Sequence, residues 1–178
     1  MIILGIDPGS RHMGYCVLEL DRGKERAITY GTFSLRSDDA HALRLQQIYA
    51  YVDELVDTHH PDECAVEMPI YGKNPQSMLK LGRAQAAAML PALNHQIPVT
   101  QYTPKEVKKS VTGNGNAAKE QVWFMVKAML KLTEDRGLDA SDALAVGLCH
   151  AHRLQHGQTQ KYKNWSSFVA ANPNRIVG

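Results

Sequence analysis

Three strand-like segments joined by tight turns open the chain, and they limit its fold more than any other feature of the sequence. Residues 2–7 are a short apolar run that ends in the turn sequence Asp-Pro-Gly-Ser. Residues 13–20 form a second segment, and β-branched and aromatic residues recur over residues 27–35. Because connections this short join antiparallel neighbours, the sequence predicts a three-stranded meander.

Helical periodicity replaces the strand pattern further along the chain. Apolar residues at helical spacing predict a long amphipathic helix over residues 40–59. A short buried strand at 64–67 precedes a second helix over 75–94, for which Asn74 is the predicted N-cap. A fifth strand is predicted at residues 98–102.

Three more helices are predicted in the remaining sequence. The first begins with a capping box at residues 103–106 and ends near Gly113. The second covers about 117–132 with Asn116 as its cap, and the third covers about 139–154.

The order βββ-α-β-α-β-α-α-α predicts an α/β fold. It consists of a mixed five-stranded sheet, with three antiparallel strands plus two parallel strands, and helices on both faces. Residues 1–154 are expected to form one domain, and the polar residues 155–178 a flexible C-terminal tail.

The composition is that of an ordinary globular domain. The chain has 178 residues, of which 44% are hydrophobic and 21% charged. No apolar run approaches the roughly 20 residues that span a bilayer, and the first residues do not resemble a signal peptide. Three cysteines without a CxxC pair argue against a disulfide framework or a zinc site. We therefore expect a cytoplasmic protein.

Charge is unevenly distributed although the net charge is only +2. Residues 38–63 contain seven acidic residues and one arginine, whereas residues 101–131 contain six lysines and two glutamates. One part of the surface is therefore expected to attract polyanions and another to repel them. The alternative is two solvated faces of amphipathic helices.

Four acidic residues occupy positions that the predicted fold brings together. Asp7 ends the first strand and Glu67 the fourth, and parallel strands place both at the same sheet edge. Asp139 and Asp142 are neighbours on one face of the last helix. Each residue also has a purely structural explanation, since Asp7 lies at a turn, Glu67 at a strand boundary and Asp139 at an N-cap.

Crowded carboxylates repel one another, and a divalent cation removes that conflict. Ligation by oxygen alone favours Mg²⁺ or Mn²⁺ over zinc. Two such ions would activate a water and stabilise the leaving oxygen in phosphodiester cleavage. The sequence therefore predicts a two-metal nuclease site.

Four motifs in this order resemble the bacterial RuvC family. They are Ile-Leu-Gly-Ile-Asp-Pro-Gly-Ser at 3–10, Ala-Val-Glu at 65–67, Ser-Met-Leu-Lys-Leu-Gly at 77–82 and Asp-Ala-Ser-Asp-Ala-Leu-Ala at 139–145. The family comprises Holliday-junction resolvases with a ribonuclease-H-like fold, and the resemblance covers about residues 1–154.

The resemblance implies a function and a set of site residues. Asp7, Glu67, Asp139 and Asp142 would be the metal-binding catalytic acids, with two Mg²⁺ per site and Mn²⁺ as a substitute. A homodimer would make paired nicks in a four-way DNA junction, in recombination and repair, leaving 5′-phosphate and 3′-hydroxyl ends. The branch-migration machinery of the same pathway would be a partner.

Basic and loop residues are the expected DNA contacts. Lys108 and Lys119 match positions at which relatives carry functionally important lysines, and both are expected to bind phosphate. The loop after Glu67 contributes four more expected contacts. They are Ile70, Tyr71, Lys73 and Asn74.

The loop departs from the family pattern at its centre. Ile70 occupies the position that is often aromatic in relatives, with Tyr71 next to it, and either could enter the junction.

Dimer contacts are expected on the helix over 75–94. Its predicted stripe is apolar except for one glutamine and contains small residues that allow close approach, although the stripe could also simply cover the sheet. Its members are Met78, Leu81, Ala84, Gln85, Ala87, Ala88 and Met89.

Two histidines and two other functions complete the expectations. His150 or His152 could approach the acidic site from the last helix, but their spacing prevents them from readily chelating one ion together. An actin-like or sugar-kinase-like ATPase would need a second lobe and a second phosphate loop. A non-catalytic junction-binding protein would not need four clustered acids.

Overall fold

Five strands form one mixed sheet in a computed structural model of the chain. The model describes residues 1–36, 38–69, 74–133 and 138–159, without the side chains of 138, 139 and 156–159. The sheet order is β3-β2-β1-β4-β5, with antiparallel pairing from β1 to β3 and parallel pairing of β4 with β1 and β5. This confirms the predicted fold class. The strands are β1 (Ile2–Asp7), β2 (His12–Asp21), β3 (Lys24–Ser34), β4 (Glu63–Glu67) and β5 (Val99–Tyr102).

Helices cover both faces of this sheet because its buried strands are apolar on both sides. Along β1, Ile3 packs into one core and Leu4 and Ile6 into the other. The first two helices cover the Leu4 face, and the last three cover the Ile3 face. No described helix is both long and apolar enough to cross a membrane. The helices are α1 (His41–His59), α2 (Pro75–Asn94), α3 (Pro104–Thr112), α4 (Lys119–Leu130) and α5 (Leu138–Thr159).

Two of the three predicted N-caps are confirmed. Asn74 Oδ1 accepts hydrogen bonds from the backbone N–H groups of Gln76 and Ser77 at 3.0 and 3.3 Å. The capping box of α3 is complete, with Thr103 Oγ1 accepting from the Glu106 N–H and Glu106 Oε2 accepting from the Thr103 N–H. These caps set where α2 and α3 begin, at the sheet edge where β4 and β5 end.

The predicted cap of α4 was wrong. Asn116 donates its backbone N–H to Asn114 Oδ1 at 3.0 Å and lies in the turn before the helix. The N-cap is Ala118, whose N–H donates to Gln121 Oε1 at 3.0 Å. A local hydrogen bond between side chain and backbone therefore competes with the helix at Asn116 and delays its start.

The last helix is longer than predicted at both ends. It begins at Leu138, so Asp139 lies in its first turn and not at its N-cap. It continues beyond residue 154 to Thr159, and Gln155 Nε2 donates to Glu25 Oε1 at 2.6 Å. Residues 155–159 are thus helical, and the rest of the predicted tail lies outside the described residues.

The predicted dimer stripe on α2 faces mostly inward. Ala84, Ala87 and Ala88 are buried in the core with α1 and the sheet, so they pack within the chain. Leu90 and Leu93 are instead 47% and 48% exposed. The prediction placed the small residues on the wrong side because their helical spacing is the same for an inner and an outer stripe.

Helix α5 lies directly against the centre of the sheet. A Cβ on Gly5 would come within 2.8 Å of the Ala143 carbonyl oxygen, and one on Gly147 within 2.7 Å of Leu18 Cδ1. Cys16 Sγ donates a hydrogen bond to the same Ala143 carbonyl at 3.1 Å. The two glycines therefore allow α5 to pack against β1 and β2 without intervening side chains at Gly5 and Gly147.

Replacing Gly5 with alanine should separate α5 from β1. The added methyl group meets backbone atoms of α5, which cannot rotate away, so we expect a loss of about 1–3 kcal/mol in the free energy of unfolding. Gly82→Ala is the matched control, because nothing lies within 4 Å of a Cβ there. Because Gly82 lies in helix α2, the control substitution should increase the free energy of unfolding by about 0.4–1 kcal/mol. Chemical denaturation measures both, and equal effects would contradict the close-contact explanation.

Candidate active site

A cavity of about 200 Å³ opens at the sheet edge where β1 and β4 end. Three of the four predicted acids and both predicted lysines line it. The charged lining residues are Asp7, Glu67, Lys108, Lys119 and Asp142. The apolar lining residues are Pro104, Val107, Val122 and Ala145.

Strand pairing places the first two acids side by side. Ile6 is paired with Val66 in the parallel ladder of β1 and β4, so Asp7 and Glu67 follow at the same level. Asp142 reaches them from the second turn of α5, which the Gly5–Gly147 contact holds against β1. Three carboxylates that are distant in sequence thus line one cavity, and the parallel strands place Asp7 and Glu67 at one edge as predicted.

The two lysines come from the neighbouring helices. Lys108 lies in the middle of α3, whose capping box fixes its start directly after β5. Lys119 is the first residue of α4. The caps and the short connections therefore bring two cations to the rim of the acidic cavity.

The half-buried carboxylate of Glu67 has a strongly raised pKa. Burial, and then the charges of Asp7 and Asp142, raise its pKa to about 8, while Lys119 and Lys108 partly oppose the shift. Without a further cation, the site therefore favours the protonated form of Glu67 near neutral pH.

Lys119 and Asp142 form an ion pair across the cavity mouth. Lys119 Nζ donates to Asp142 Oδ2 at 2.6 Å, and the side chains are 54% and 19% exposed. The sequence had predicted a phosphate contact for this lysine. In the structure, its ammonium neutralises a carboxylate in the free protein.

The donor set suits a hard divalent cation, although the described side chains are not yet arranged around one. No three His, Cys, Asp or Glu side chains in the described part of the chain are close enough to bind one ion. The side chain of Asp139 lies outside that part. The Lys119 ammonium and the raised pKa of Glu67 both reduce the negative charge that a cation would otherwise neutralise.

Most of the predicted loop contacts lie outside the described residues. This applies to Ile70, Tyr71 and Lys73. Asn74 is described, and its side-chain oxygen is used to cap α2.

The two histidines of α5 do not line the cavity. His150 is 2% exposed, and its Nδ1 lies 2.7 Å from the Tyr102 hydroxyl. His152 Nδ1 lies 3.0 Å from Ser110 Oγ. Both side chains belong to the packing between α5, β5 and α3, two turns or more beyond Asp142, so neither approaches the acidic site.

Gln85 makes an inward contact that its helical spacing does not predict. Its Nε2 lies 3.4 Å from the Glu67 carbonyl oxygen and 2.9 Å from Gln101 Oε1, so it bridges the ends of β4 and β5. Its helical spacing predicts a place in the dimer stripe instead. A polar residue within an otherwise apolar stripe was the signal for this inward contact.

Comparison with known proteins identifies close relatives over the whole chain. Residues 3–150 match the family model described as crossover junction endodeoxyribonuclease RuvC. The Salinibacter ruber protein of that name is 56% identical, covering 99% of each chain, and the Christiangramia forsetii protein is 43% identical, covering 98% of this chain and 92% of the relative. The Thermus thermophilus RuvC structure in complex with a Holliday junction substrate superposes with a TM-score of 0.82 at 33% identity, covering 88% and 96%.

Glu67→Gln should remove a pH-dependent loss of stability in metal-free buffer. Unfolded, this carboxyl ionises near pH 4.5, whereas in the fold it keeps its proton up to about pH 8. The folded state therefore holds the extra proton in this window, so wild-type stability should fall as pH rises. The variant lacks this titration and should melt a few degrees higher at alkaline pH, at roughly 2–4 °C per kcal/mol. Parallel melting curves across the window would contradict the burial of Glu67.

Proposed function

The chain belongs to the RuvC family of crossover junction endodeoxyribonucleases and is a nuclease of that kind, and we propose that it cuts four-way DNA junctions at the Asp7–Glu67–Asp142 cavity. The observation that carries this assignment is the meeting of three carboxylates and two lysines at one sheet edge. Carboxylates suit metal ions and lysines suit phosphate, so one cavity has the groups that phosphodiester hydrolysis requires.

We propose Mg²⁺ as the cofactor, with two ions per site and Mn²⁺ as a substitute. Asp7, Glu67 and Asp142 would hold them together with Asp139, which lies one turn before Asp142 on α5. When bound, these ions would supply an activated water and stabilise the leaving oxygen. The products would carry 5′-phosphate and 3′-hydroxyl ends.

The protein's own side chains prepare the site for phosphate. Lys119 is held at the cavity by Asp142, so its ammonium is already placed beside the carboxylates. Lys108 lies on the neighbouring wall. Both lysines would hold the scissile phosphate by charge, independently of base sequence.

Membership of the family also supports an assembly. We propose a homodimer, because paired nicks need two identical sites at a fixed separation, and a two-fold axis provides them. An exposed apolar stripe on α2 is the proposed contact. It consists of Leu79, Ala86, Leu90 and Leu93, and the three leucines are 60%, 47% and 48% exposed.

Further proposals rest on family membership alone. Ile70, Tyr71 and Lys73 would contact the junction centre, beside Asn74 at the start of α2. The branch-migration machinery of the recombination pathway would be a partner. Because the proposed substrate is chromosomal DNA, we place the protein in the cytoplasm.

Asp7→Asn should abolish cleavage while junction binding is retained. The substitution removes a central metal ligand, and we expect at least about a hundredfold lower rate, since metal stabilisation of the transition state is worth several kcal/mol. The assay incubates a synthetic four-way junction, and a linear duplex of equal sequence, with and without Mg²⁺. Paired nicks made by the wild-type protein only in the junction would support the proposal. If the wild-type protein binds the junction but does not cut it, a purely architectural protein is favoured.

Neutralising the lysines should affect phosphate contacts and not metal binding. We expect Lys108→Ala and Lys119→Ala to slow junction cleavage in a salt-sensitive way, by about tenfold or more, because each removes a charge near the scissile phosphate. Arginine should restore activity only in part, since its planar group is not a point charge. Cleavage is measured over a series of salt and Mg²⁺ concentrations. Full recovery at higher Mg²⁺ would show that these lysines act through the metal site.

The apolar stripe on α2 predicts the oligomeric state. At micromolar concentration the wild type should sediment as a dimer, and Leu90→Glu should shift it towards the monomer because it places a charge within the stripe. Phe124→Glu is the control, since Phe124 is 69% exposed on α4, away from α2. A wild-type protein of monomer mass would refute the dimer.

A further inference from the structure

Basic side chains that do not line the proposed cavity lie on the opposite face of the sheet, the face covered by α1 and α2. Helices α1 and α2 pack side by side there and run in the same direction. Asn94 Nδ2 donates to Tyr49 Oη at 2.9 Å, and His95 Nε2 lies 3.3 Å from Asp53 Oδ1, so the end of α2 meets the second half of α1. Both helices therefore begin at the edge where β1, β3 and β4 end.

Four basic residues lie in the first halves of these two helices. His41 and Arg44 lie at the beginning of α1. Lys80 and Arg83 lie in the first half of α2. Burial, followed by the positive charges of Arg44, Arg83 and Lys80, lowers the pKa of the His41 imidazole. The four side chains therefore share one electrostatic environment. We call them the basic cluster.

The acidic residues within α1 lie away from the basic cluster, and α2 has none. The acids of α1 lie at 53–57 in its second half, where His95 is within 3.6 Å of two of them. Asp38 and Asp39 precede α1, and Asp39 Oδ2 accepts a hydrogen bond from Gln47 Nε2 at 2.8 Å. Within α1 the basic residues therefore lie near its beginning and the acidic residues in its second half, with Asp38 and Asp39 just before its start.

His41 lacks hydrogen-bond partners among the described residues. Both of its ring nitrogens are buried without such a bond. Lys80 and Arg83 are exposed beside it, and Ala40 provides no side-chain cap for the first turn of α1. Neither helix has an acid in its first turn, so both positive dipole ends add to the charge. The exposed Lys80 and Arg83, together with these two helix N-termini, give the edge a positive charge that suits an anion.

We propose that the basic cluster binds backbone phosphates of a junction arm, outside the catalytic cavity. The proposal rests on the proposed function, because α1 and α2 begin at the same sheet edge as Asp7 and Glu67, so DNA bound at the cavity would have the basic cluster beside it. Arg44 and Arg83 provide planar groups that bind phosphate with two hydrogen bonds. The contact is independent of base sequence and would position an arm while the cavity holds the scissile strand.

The test compares two double variants of the full chain, each in the Asp7→Asn background that prevents cleavage. Lys80→Gln/Arg83→Gln removes two charges from the basic cluster. Lys24→Gln/Lys131→Gln removes two charges from a groove at the opposite sheet edge and is the matched control. Junction affinity is measured between about 50 and 200 mM salt. We expect about tenfold weaker binding and a salt slope lower by roughly one to two for the first variant only.

Several outcomes would overturn the inference. One is an unchanged salt slope in the cluster variant, and another is an equal loss in the control variant. A third comes from the charge-conserving Lys80→Arg/Arg83→Lys variant, which should keep the wild-type slope and would refute a phosphate contact if it did not. Cleavage by the protein with Asp7 intact is assayed on the same junction. Failure to cut would refute the proposed function, whereas cutting combined with an unchanged slope would refute only the basic cluster.

Discussion

Backbone contact between α5 and β1 is the constraint on which the rest of the structure depends. Gly5 and Gly147 have no side chains to separate the two elements, and Cys16 Sγ bonds to the Ala143 carbonyl in the same contact. This approach sets the distance between Asp142 on the helix and the acids at the strand ends. A larger residue at Gly5 would move one carboxylate away from the others, so packing at the core centre controls the chemistry at the edge.

Charge balance in the cavity follows from this packing. Burial beside Asp7 and Asp142 raises the pKa of Glu67 to about 8, and Lys119 neutralises Asp142 at 2.6 Å. A proton and an ammonium thus reduce the negative charge that divalent cations would otherwise neutralise. The stability of the free protein and its capacity for metal ions are therefore opposing requirements on the same carboxylates.

The sheet edge combines the charges that act on DNA. The cavity lies on the α5 side, and the basic cluster lies on the side of α1 and α2. Since α1, α2 and α3 all begin at this edge, their positive dipole ends face the same side as the lysines and arginines. The acids of α1 lie towards its other end, where two of them are near His95. The fold thus separates charges that are interleaved along the chain.

The sequence by itself determined the order of strands and helices along the chain, the fold class and the common edge of Asp7 and Glu67, because periodicity and turn residues are local signals and parallel strands end at a common edge. Local signals also located the caps at Asn74 and Thr103. Other features depended on the tertiary structure, since inner and outer helical stripes have the same spacing. Only packing decided that Ala84 faces inward, that Lys119 pairs with Asp142, and that basic residues of α1 and α2 converge. These relations join residues distant in sequence, and their distances are set by how the helices lie on the sheet.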